Sequence, residues 1–598
     1  MPSLNFSLSN NELISIESND VSDEIIQFFK NNFFISFDGS PIKISLLTFL
    51  ENQYNFNQLA DDHDIEFFLT DEFIEFISDV PEYPNDEIDF IPREEIDQKL
   101  NNEDFIRELT DNQYRNIRKI CSLRAAASFS VPGSGKTTEA LAYYAYHKTD
   151  NSKLLVVCPI NAFISWQDEI KKCFKSLNKI ERLRGSPQEI KDILSMNPEA
   201  MIINYDALRN PKKYSIVKDI ILENKNNLTV IFDESHKIKG EKISELVKPL
   251  SPLIKSKLIL TGTPMPQASS DLRAQFQFLY PTETVFNDDD FVKLFEPIFV
   301  RTTKKELGLK YPKIKFNYVP VEPSNAFKTF YYEHLIARID RGVSLEEIFK
   351  VASLKKAVLR LLKFFSHPPS CAELVSEIDE PLANRILEEG DGVKIDKAVQ
   401  RAQQLISKNK KVVIWSSFVD VVKLVADRFG DKAVFITGDV ETEGENENEN
   451  EKLIKFDSRE KRINRFKTDP ECMIFVANPA AAAESISLHE VCDHAIYIDR
   501  TYNAGQFMQS CDRIHRLIER SKEREKNIDI IYLDLPGSVE DRVQEALTRK
   551  IHAMAEFLND SSLKNLEGFS ILIDKDEEPS MQKEDIVEFQ KGLLRLDK

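Results

Sequence analysis

Glycine is scarce in this chain, 17 of 598 residues, while 42% of the residues are hydrophobic. That balance excludes a fibrous or disordered polymer and leaves enough apolar mass for three or four domains. Cysteine is rare as well. The seven thiols, at positions 121, 158, 173, 371, 472, 492 and 511, include no Cys-x-x-Cys pair and no Cys/His cluster. Neither a zinc site nor a disulfide framework is expected, and the compartment reads as reducing. Long apolar runs are missing: no stretch approaches the roughly 18 consecutive apolar residues of a membrane span. The opening Met-Pro-Ser-Leu-Asn has neither a basic n-region nor an apolar h-region. The expectation is a cytoplasmic protein without membrane contact.

An excess of positive charge is also lacking, with 79 Lys and Arg against 99 Asp and Glu and a formal net charge of -20. The deficit is local. Residues 1–100 hold 22 acids and 4 bases, and the remainder is nearly neutral at -2. A polyanionic partner therefore stays possible downstream of residue 100.

Residues 1–105 read as a small acidic module, α/β or mainly helical, with short apolar runs broken by Asp, Asn and Pro. From 106 to 318, β-like runs at 125–131, 154–158, 200–203, 229–232 and 258–260 alternate with helical stretches, the rhythm of an open parallel sheet. Residues 319–395 lose the strand signal and read as a helical insertion. A second alternating series, at 411–415, 433–436, 473–477, 494–498 and 528–533, predicts another doubly wound lobe over 396–550. Residues 551–598 are assigned to a bracing helix and tail. Residues 441–451, Glu-Thr-Glu-Gly-Glu-Asn-Glu-Asn-Glu-Asn-Glu, have nothing to bury and read as a solvated loop.

The sharpest local signal is Ser130-Val-Pro-Gly-Ser-Gly-Lys-Thr137, the pattern G-x-x-x-x-G-K-T with serine in place of its first glycine. It follows a predicted strand and precedes a helical run at 138–147. Gly133, Ser134 and Gly135 would let backbone N–H groups curl around a phosphate at the positive end of that helix. Lys136 would reach the β/γ-phosphates of ATP, Thr138 belongs to the same cradle, and Thr137 would hold Mg2+. Further on, Thr229-Val-Ile-Phe-Asp-Glu-Ser-His236 is an apolar strand ending in two carboxylates. Asp233 would bind Mg2+ and Glu234 would orient and deprotonate the attacking water. Acids at a strand end often serve only as solvent caps; their order after a phosphate loop argues for chemistry here.

With these elements in place, the chain resembles the superfamily 2 helicase-like ATPases, and in particular the Swi/Snf-type translocases, over about residues 108–558. Leu109-Thr-Asp-Asn-Gln113 is similar to the family element whose glutamine, here Gln113, reads adenine, although Asn112 stands where the family often has an aromatic. Leu154-Leu-Val-Val-Cys-Pro159, with Trp166 and Glu169, resembles its first nucleic-acid-contacting motif, and Ile202-Ile-Asn-Tyr-Asp-Ala-Leu208 the next. In Leu260-Thr-Gly-Thr-Pro-Met-Pro-Gln267 the resemblance implies that Thr261 and Thr263 relay the γ-phosphate state to the nucleic-acid groove. Phe299-Val-Arg-Thr-Thr-Lys-Lys-Glu306 resembles the exit from the first lobe.

The second lobe continues with Val412-Val-Ile-Trp-Ser-Ser-Phe418, Ile436-Thr-Gly438 and Ala483-Glu-Ser-Ile-Ser-Leu488. It ends in Gln509-Ser-Cys-Asp-Arg-Ile-His-Arg516, matching Q-x-x-x-R-x-x-R. Residues three apart share a helix face. The resemblance implies that Arg513 and Arg516 approach the γ-phosphate as arginine fingers, with Gln509 in the same catalytic set. Ala482, Ala483 and Ser485 depart from the family's glycines, so the loop there must be built differently. Gly537-Ser-Val-Glu-Asp-Arg-Val-Gln-Glu-Ala-Leu547 is similar to the element opening a bracing helix, with Ser538 and Asp541 in a capping-box pattern.

The fold expected is α/β: two RecA-like doubly wound parallel-sheet lobes, a helical insertion and the acidic module. The function expected is an ATP- and Mg2+-dependent translocase on nucleic acid, with double-stranded DNA preferred. A strand-separating DNA or RNA helicase remains open, as does a recognition subunit of a multi-protein defence or repair assembly. The acidic module is a candidate surface for a protein partner. It could also mimic DNA and occupy the groove.

Overall fold

The structure, a computed structural model, describes residues 2–10, 12–84, 87–239, 241–266, 268–283, 287, 290–307, 313–438, 440, 458–482, 488–500, 503–515, 527–535, 538–560 and 563. The chain forms two compact units, Met1–Met265 with Ser269–Leu307, and Pro266–Ala268 with Gly308–Lys598.

The acidic module opens the first unit. Its strands β1 (Ser3–Leu8), β2 (Leu13–Glu17), β3 (Ile42–Ser45) and β4 (Glu66–Leu69) form a sheet in the order β3-β2-β1-β4. Strand alternation turns Leu4, Phe6, Ile14 and Ile16 inward. Phe6 is the hub of the core, with the rings of Phe49, Phe56, Phe67 and Phe73 at centroid distances of 5.5, 5.5, 5.2 and 6.0 Å. The module is thus α/β. Glu12 pairs with Lys218, Glu51 with Lys248 and Asp79 with Lys255, and Lys225 lies over the Phe76 ring. Lys225 and Lys255 sit just before the strands Leu228–Asp233 and Ser256–Leu260, at the opposite strand ends from Asp233 and Thr261.

Beyond the module lie β5 (Ala125–Ser128), β6 (Lys153–Val157), β7 (Ile180–Arg182), β8 (Ala200–Ile203), β9 (Leu228–Asp233), β10 (Ser256–Leu260) and β11 (Phe299–Val300). They pair in parallel in the order β11-β5-β10-β9-β6-β8-β7. β5, β8 and β10 are buried at every position, as a sheet covered on both faces requires.

A buried lysine lies inside this apolar layer. Lys257 on β10 is wholly buried, and its ammonium donates to Ser251 O at 3.0 Å, Ser251 Oγ at 2.8 Å and Phe278 O at 2.9 Å. Burial pushes its pKa well below the ordinary lysine value of 10.5. Between the lowered folded value and 10.5 the unfolded chain binds the extra proton, so stability rises with pH across that window, by up to about 1.4 kcal/mol per pH unit. Thermal unfolding midpoints from pH 7.5 to 10 should climb more steeply for the native chain than for Lys257→Met; parallel curves would contradict this.

The second unit is built on β12 (Lys313–Pro320), β13 (Val412–Trp415), β14 (Ala433–Ile436), β15 (Ile474–Ala477), β16 (His494–Tyr497) and β17 (Asn527–Asp534). All pair in parallel, in the order β12-β17-β16-β13-β15-β14. This corrects the boundary drawn at 318. Residues 313–320 belong to the second sheet, where Lys313 to Pro320 pair in register with Asn527 to Asp534. Local alternation marks a strand but does not say which sheet edge it joins.

The expected helical insertion is helical, from Asn325–Lys328 to Glu380–Glu388. It is no separate layer, because Phe327, Phe330 and Phe364 share one core with Ile414, Val476 and Ile496 of the sheet. The boundary at 550 is also corrected: the helix Val539–Phe557 runs through it unbroken. Its Val543, Leu547, Ile551, Met554 and Leu558 are buried, as their spacing predicts. Ser538 Oγ accepts from Glu540 N at 3.2 Å. Buried Lys394 pairs with Glu540 and donates to Ile498 O at 3.0 Å, tying this helix to the sheet. The acidic stretch 441–451 lies outside the described residues.

Candidate active site

The phosphate loop joins β5 to the helix Lys136–His147, whose N-cap is Gly135 with a left-handed backbone at φ 89° and no side-chain cap. The first-turn N–H groups of Lys136, Thr137 and Thr138 therefore keep the orphan donors of a helix start. Ser134 Oγ is buried without a hydrogen-bond partner. Lys136 Nζ rests on Ser130 O at 2.8 Å, in the field of Glu234, Asp233 and Glu139; burial lowers its pKa and these acids oppose the shift. An ammonium, an orphaned hydroxyl and an uncapped helix start form a donor set suited to phosphate.

Gln113 lies on the helix Asp111–Ile120, inside a capping box with Thr110, and its Nε2 donates to Gly135 O at 3.4 Å. This contact leaves no room for a side chain at 135, where an added Cβ would lie 2.3 Å from Gln113 Nε2. Gly135→Ala is expected to weaken binding of a fluorescent ATP analogue by about tenfold or more, from the combined backbone strain and clash. Affinity within twofold of the native chain would contradict it.

The serine that replaces the first loop glycine has a structural use. Ser130 Oγ accepts the Thr302 N–H at 2.9 Å and lies 3.5 Å from Asn116 Nδ2. Asn116 donates to Thr302 Oγ1 at 2.9 Å and to Glu139 Oε1 at 2.8 Å, and Ser128 donates to Glu139 Oε2 at 3.0 Å. Burial pushes the Glu139 pKa up to about 7, against the hydrogen bonds from Asn116 and Ser128. The loop is thereby anchored to the segment following β11. Family motifs did not mark Asn116 or Glu139, and the string 299–306 contained Thr302 without assigning it this contact. Thr138, placed by sequence with the phosphate ligands, turns its hydroxyl instead to Glu169 Oε1 at 2.8 Å; only its main-chain N–H can serve the cradle.

Asp233 ends β9. Its Oδ2 accepts from Trp166 Nε1 at 2.9 Å, its Oδ1 from Glu234 N at 3.0 Å, and its carbonyl from Tyr205 Oη at 2.7 Å. Burial first, then the neighbouring Glu234 charge, raises the Asp233 pKa above the ordinary carboxylate value, while the Trp166 bond opposes this. Glu234 adopts a left-handed backbone at φ 53°, which costs energy in a non-glycine residue and sends its side chain away from the strand's regular alternation. Its Oε2 lies 3.4 Å from Thr261 Oγ1 and 3.4 Å from His236 Nδ1. Thr261 Oγ1 in turn accepts the Thr263 N–H at 3.1 Å and lies 3.0 Å from His236 Nδ1. The structure thus joins Glu234, Thr261 and Thr263 in one hydrogen-bonded chain.

Among the described residues no group of three or more His, Cys, Asp and Glu could hold a metal ion by itself. Thr137 and Asp233 would need nucleotide phosphate oxygens and water to complete a Mg2+ shell, and that is how this hard ion binds in phosphate-transfer sites. The residues present fit it.

The remaining site residues lie in the second unit. Gln509 is on the helix Ala504–Asp512, and Arg513 follows directly, 6% exposed, with its carbonyl accepting from Leu488 N at 2.9 Å. Arg516, Ala483 and Ser485 lie outside the described residues, so the shared face of Arg513 and Arg516 is not described. At the carboxyl ends of β13 and β16, buried Asp499 accepts from Ser416 Oγ at 2.5 Å and Ser417 N at 2.7 Å, and Asn478 Nδ2 donates to Ser417 O at 2.7 Å.

Comparison with known proteins follows this division. Residues 130–293 match the SNF2-related domain family and residues 396–518 the helicase conserved C-terminal domain family. The chain is 22% identical over 518 residues to the Saccharomyces cerevisiae ATP-dependent helicase FUN30, covering 70% of this chain and 44% of that protein. It is 23% identical over 467 residues to the Arabidopsis thaliana ATP-dependent DNA helicase DDM1, covering 70% and 57%. Similarity at 23% over 475 residues extends to the Gallus gallus chromodomain-helicase-DNA-binding protein 1, covering 74% and 26%. The chain thus spans well under two thirds of the length of these relatives. Among solved structures, the Sulfolobus solfataricus SWI2/SNF2 ATPase core in complex with dsDNA aligns with a TM-score of 0.32 and 18% identity, over 78% of this chain and 96% of that one.

Proposed function

Because the chain belongs to the Swi/Snf-type branch of the superfamily 2 helicase-like ATPases, we propose that it hydrolyses ATP and uses the energy to move along double-stranded DNA. The observation that carries this reading is the uncapped helix start with Lys136 beside Asp233 and Glu234. Glu234 orients a water molecule and takes its proton as the oxygen attacks the γ-phosphorus and the bond to the β-phosphate oxygen breaks. Mg2+, when bound through Thr137 and Asp233, neutralises phosphate charge. Lys136 and the first-turn N–H groups hold the phosphates, and Gln113 meets the adenine side of the loop. Arg513 and Arg516 are assigned the positive charge that meets the γ-phosphate during transfer.

DNA is the preferred track on the names of the relatives, which include a DNA helicase and a helicase-DNA-binding protein. Gripping by backbone phosphates gives little base specificity and a steep salt dependence. We place the protein in the reducing cytoplasm, in keeping with seven buried cysteine thiols.

The test is steady-state ATP hydrolysis with duplex DNA, single-stranded DNA or RNA, with Glu234→Gln as the contamination control. Stimulation chiefly by duplex, falling steeply as salt rises, is expected. Stimulation only by single strands or RNA would favour the strand-separating helicase. No stimulation by any of them would overturn autonomous DNA-driven hydrolysis and point to a required partner.

A further inference from the structure

The indole of Trp166 is 1% exposed, on the buried face that Phe163, Trp166, Ile170 and Cys173 form along the helix Phe163–Cys173. A nucleic acid does not reach a side chain this deep, so the motif resemblance that groups Trp166 with nucleic-acid contacts does not describe its role. An indole has one donor and no acceptor. Here that donor goes to Asp233 Oδ2 at 2.9 Å. The other carboxylate oxygen takes the Glu234 N–H at 3.0 Å. One fixed donor on each oxygen locks the rotation of the carboxylate, and each oxygen keeps a lone pair for the metal or its water. The Tyr205 hydroxyl on the Asp233 carbonyl, at 2.7 Å, fixes the backbone beneath.

We infer that Trp166 is a positioning residue that orients Asp233 for Mg2+, and that its emission reports metal arrival at the phosphate site. The inference rests on the ATPase reading above. Only two tryptophans occur in the chain, and the other, Trp415, ends β13 in the second unit. The signal is therefore assignable.

Two measurements test it on the full chain. In the native protein, with Trp415→Phe to assign the signal, Mg2+ titrated into saturating ADP should change Trp166 emission with a saturable profile that ADP plus chelator does not produce. In Trp166→Phe, which keeps an aromatic ring but loses the N–H, half-saturation by Mg2+ of fluorescent ADP binding should need about tenfold more metal. Metal-free ADP affinity should stay within twofold. An unchanged Mg2+ requirement would overturn the inference, as would equal losses of metal-free and metal-bound affinity, since those mark packing alone. If Trp166→Phe does not fold, the native emission titration decides: no Mg2+-dependent change overturns the assignment. A native chain that binds no nucleotide removes the ATPase reading itself, whereas normal native binding with an unchanged variant removes only this inference.

Discussion

Replacing Glu234 by Gln should lower the ATP turnover number by about 10²–10⁴-fold while leaving nucleotide affinity within severalfold of the native value. The substitution keeps the size of the side chain and removes the group that accepts the proton of the attacking water. The left-handed backbone at this position belongs to residue 234 itself and not to its charge. Thr261 and His236 can still hydrogen-bond the amide, so a fold-wide effect is not expected. Single-turnover hydrolysis, with fluorescent ATP binding measured in parallel, separates the two quantities. A loss of binding equal to the loss of turnover would mean that Glu234 holds the nucleotide or the loop rather than the water.

Arg513→Ala should be comparably damaging, with turnover down by about 10³–10⁵-fold, the range for a guanidinium that meets charge developing on the transferred phosphoryl group. Arg513→Lys should recover only part of this, because an ammonium lacks the planar fork. Nucleotide binding, which the account assigns to the first unit, should barely change in either variant. Arg513 is buried within its own unit, so melting curves of both variants are the necessary companion measurement. A turnover loss below tenfold in a folded Arg513→Ala protein would remove it from the catalytic set.

The parts of the site written as short contiguous strings were legible. Ser130 to Thr137 holds a strand's exit loop and the helix start, and Thr229 to His236 a strand, its exit and the functional groups, each in eight residues, so local pattern and local geometry coincide. The two parallel sheets were legible for the same reason, since strands buried on both faces leave unbroken apolar runs. What escaped depends on residues distant in sequence. Trp166 reaches Asp233 across 67 positions and Asn116 reaches Thr302 across 186, and no spacing rule announces either pair. The strand 313–320 was not marked among the sequence's β-like runs, and its partner, β17, comes more than two hundred residues later. The loop pattern assigns Thr138 to a backbone cradle and says nothing of where its hydroxyl turns; here Glu169 claims it. The charge of the amino-terminal module was plain in composition, but its lysine partners, Lys218, Lys248 and Lys255, are scattered along the first unit and become a docking face only after folding.

The most direct test of the central claim is displacement of a labelled third strand from a DNA triplex, followed in real time with ATP, with a non-hydrolysable analogue, and with the Glu234→Gln protein. A motor moving along duplex DNA pushes the third strand off without separating the other two. The account predicts release that requires hydrolysable ATP and fails with Glu234→Gln, on a duplex whose own strands stay paired. ATP hydrolysis stimulated by duplex DNA with no triplex displacement would contradict it.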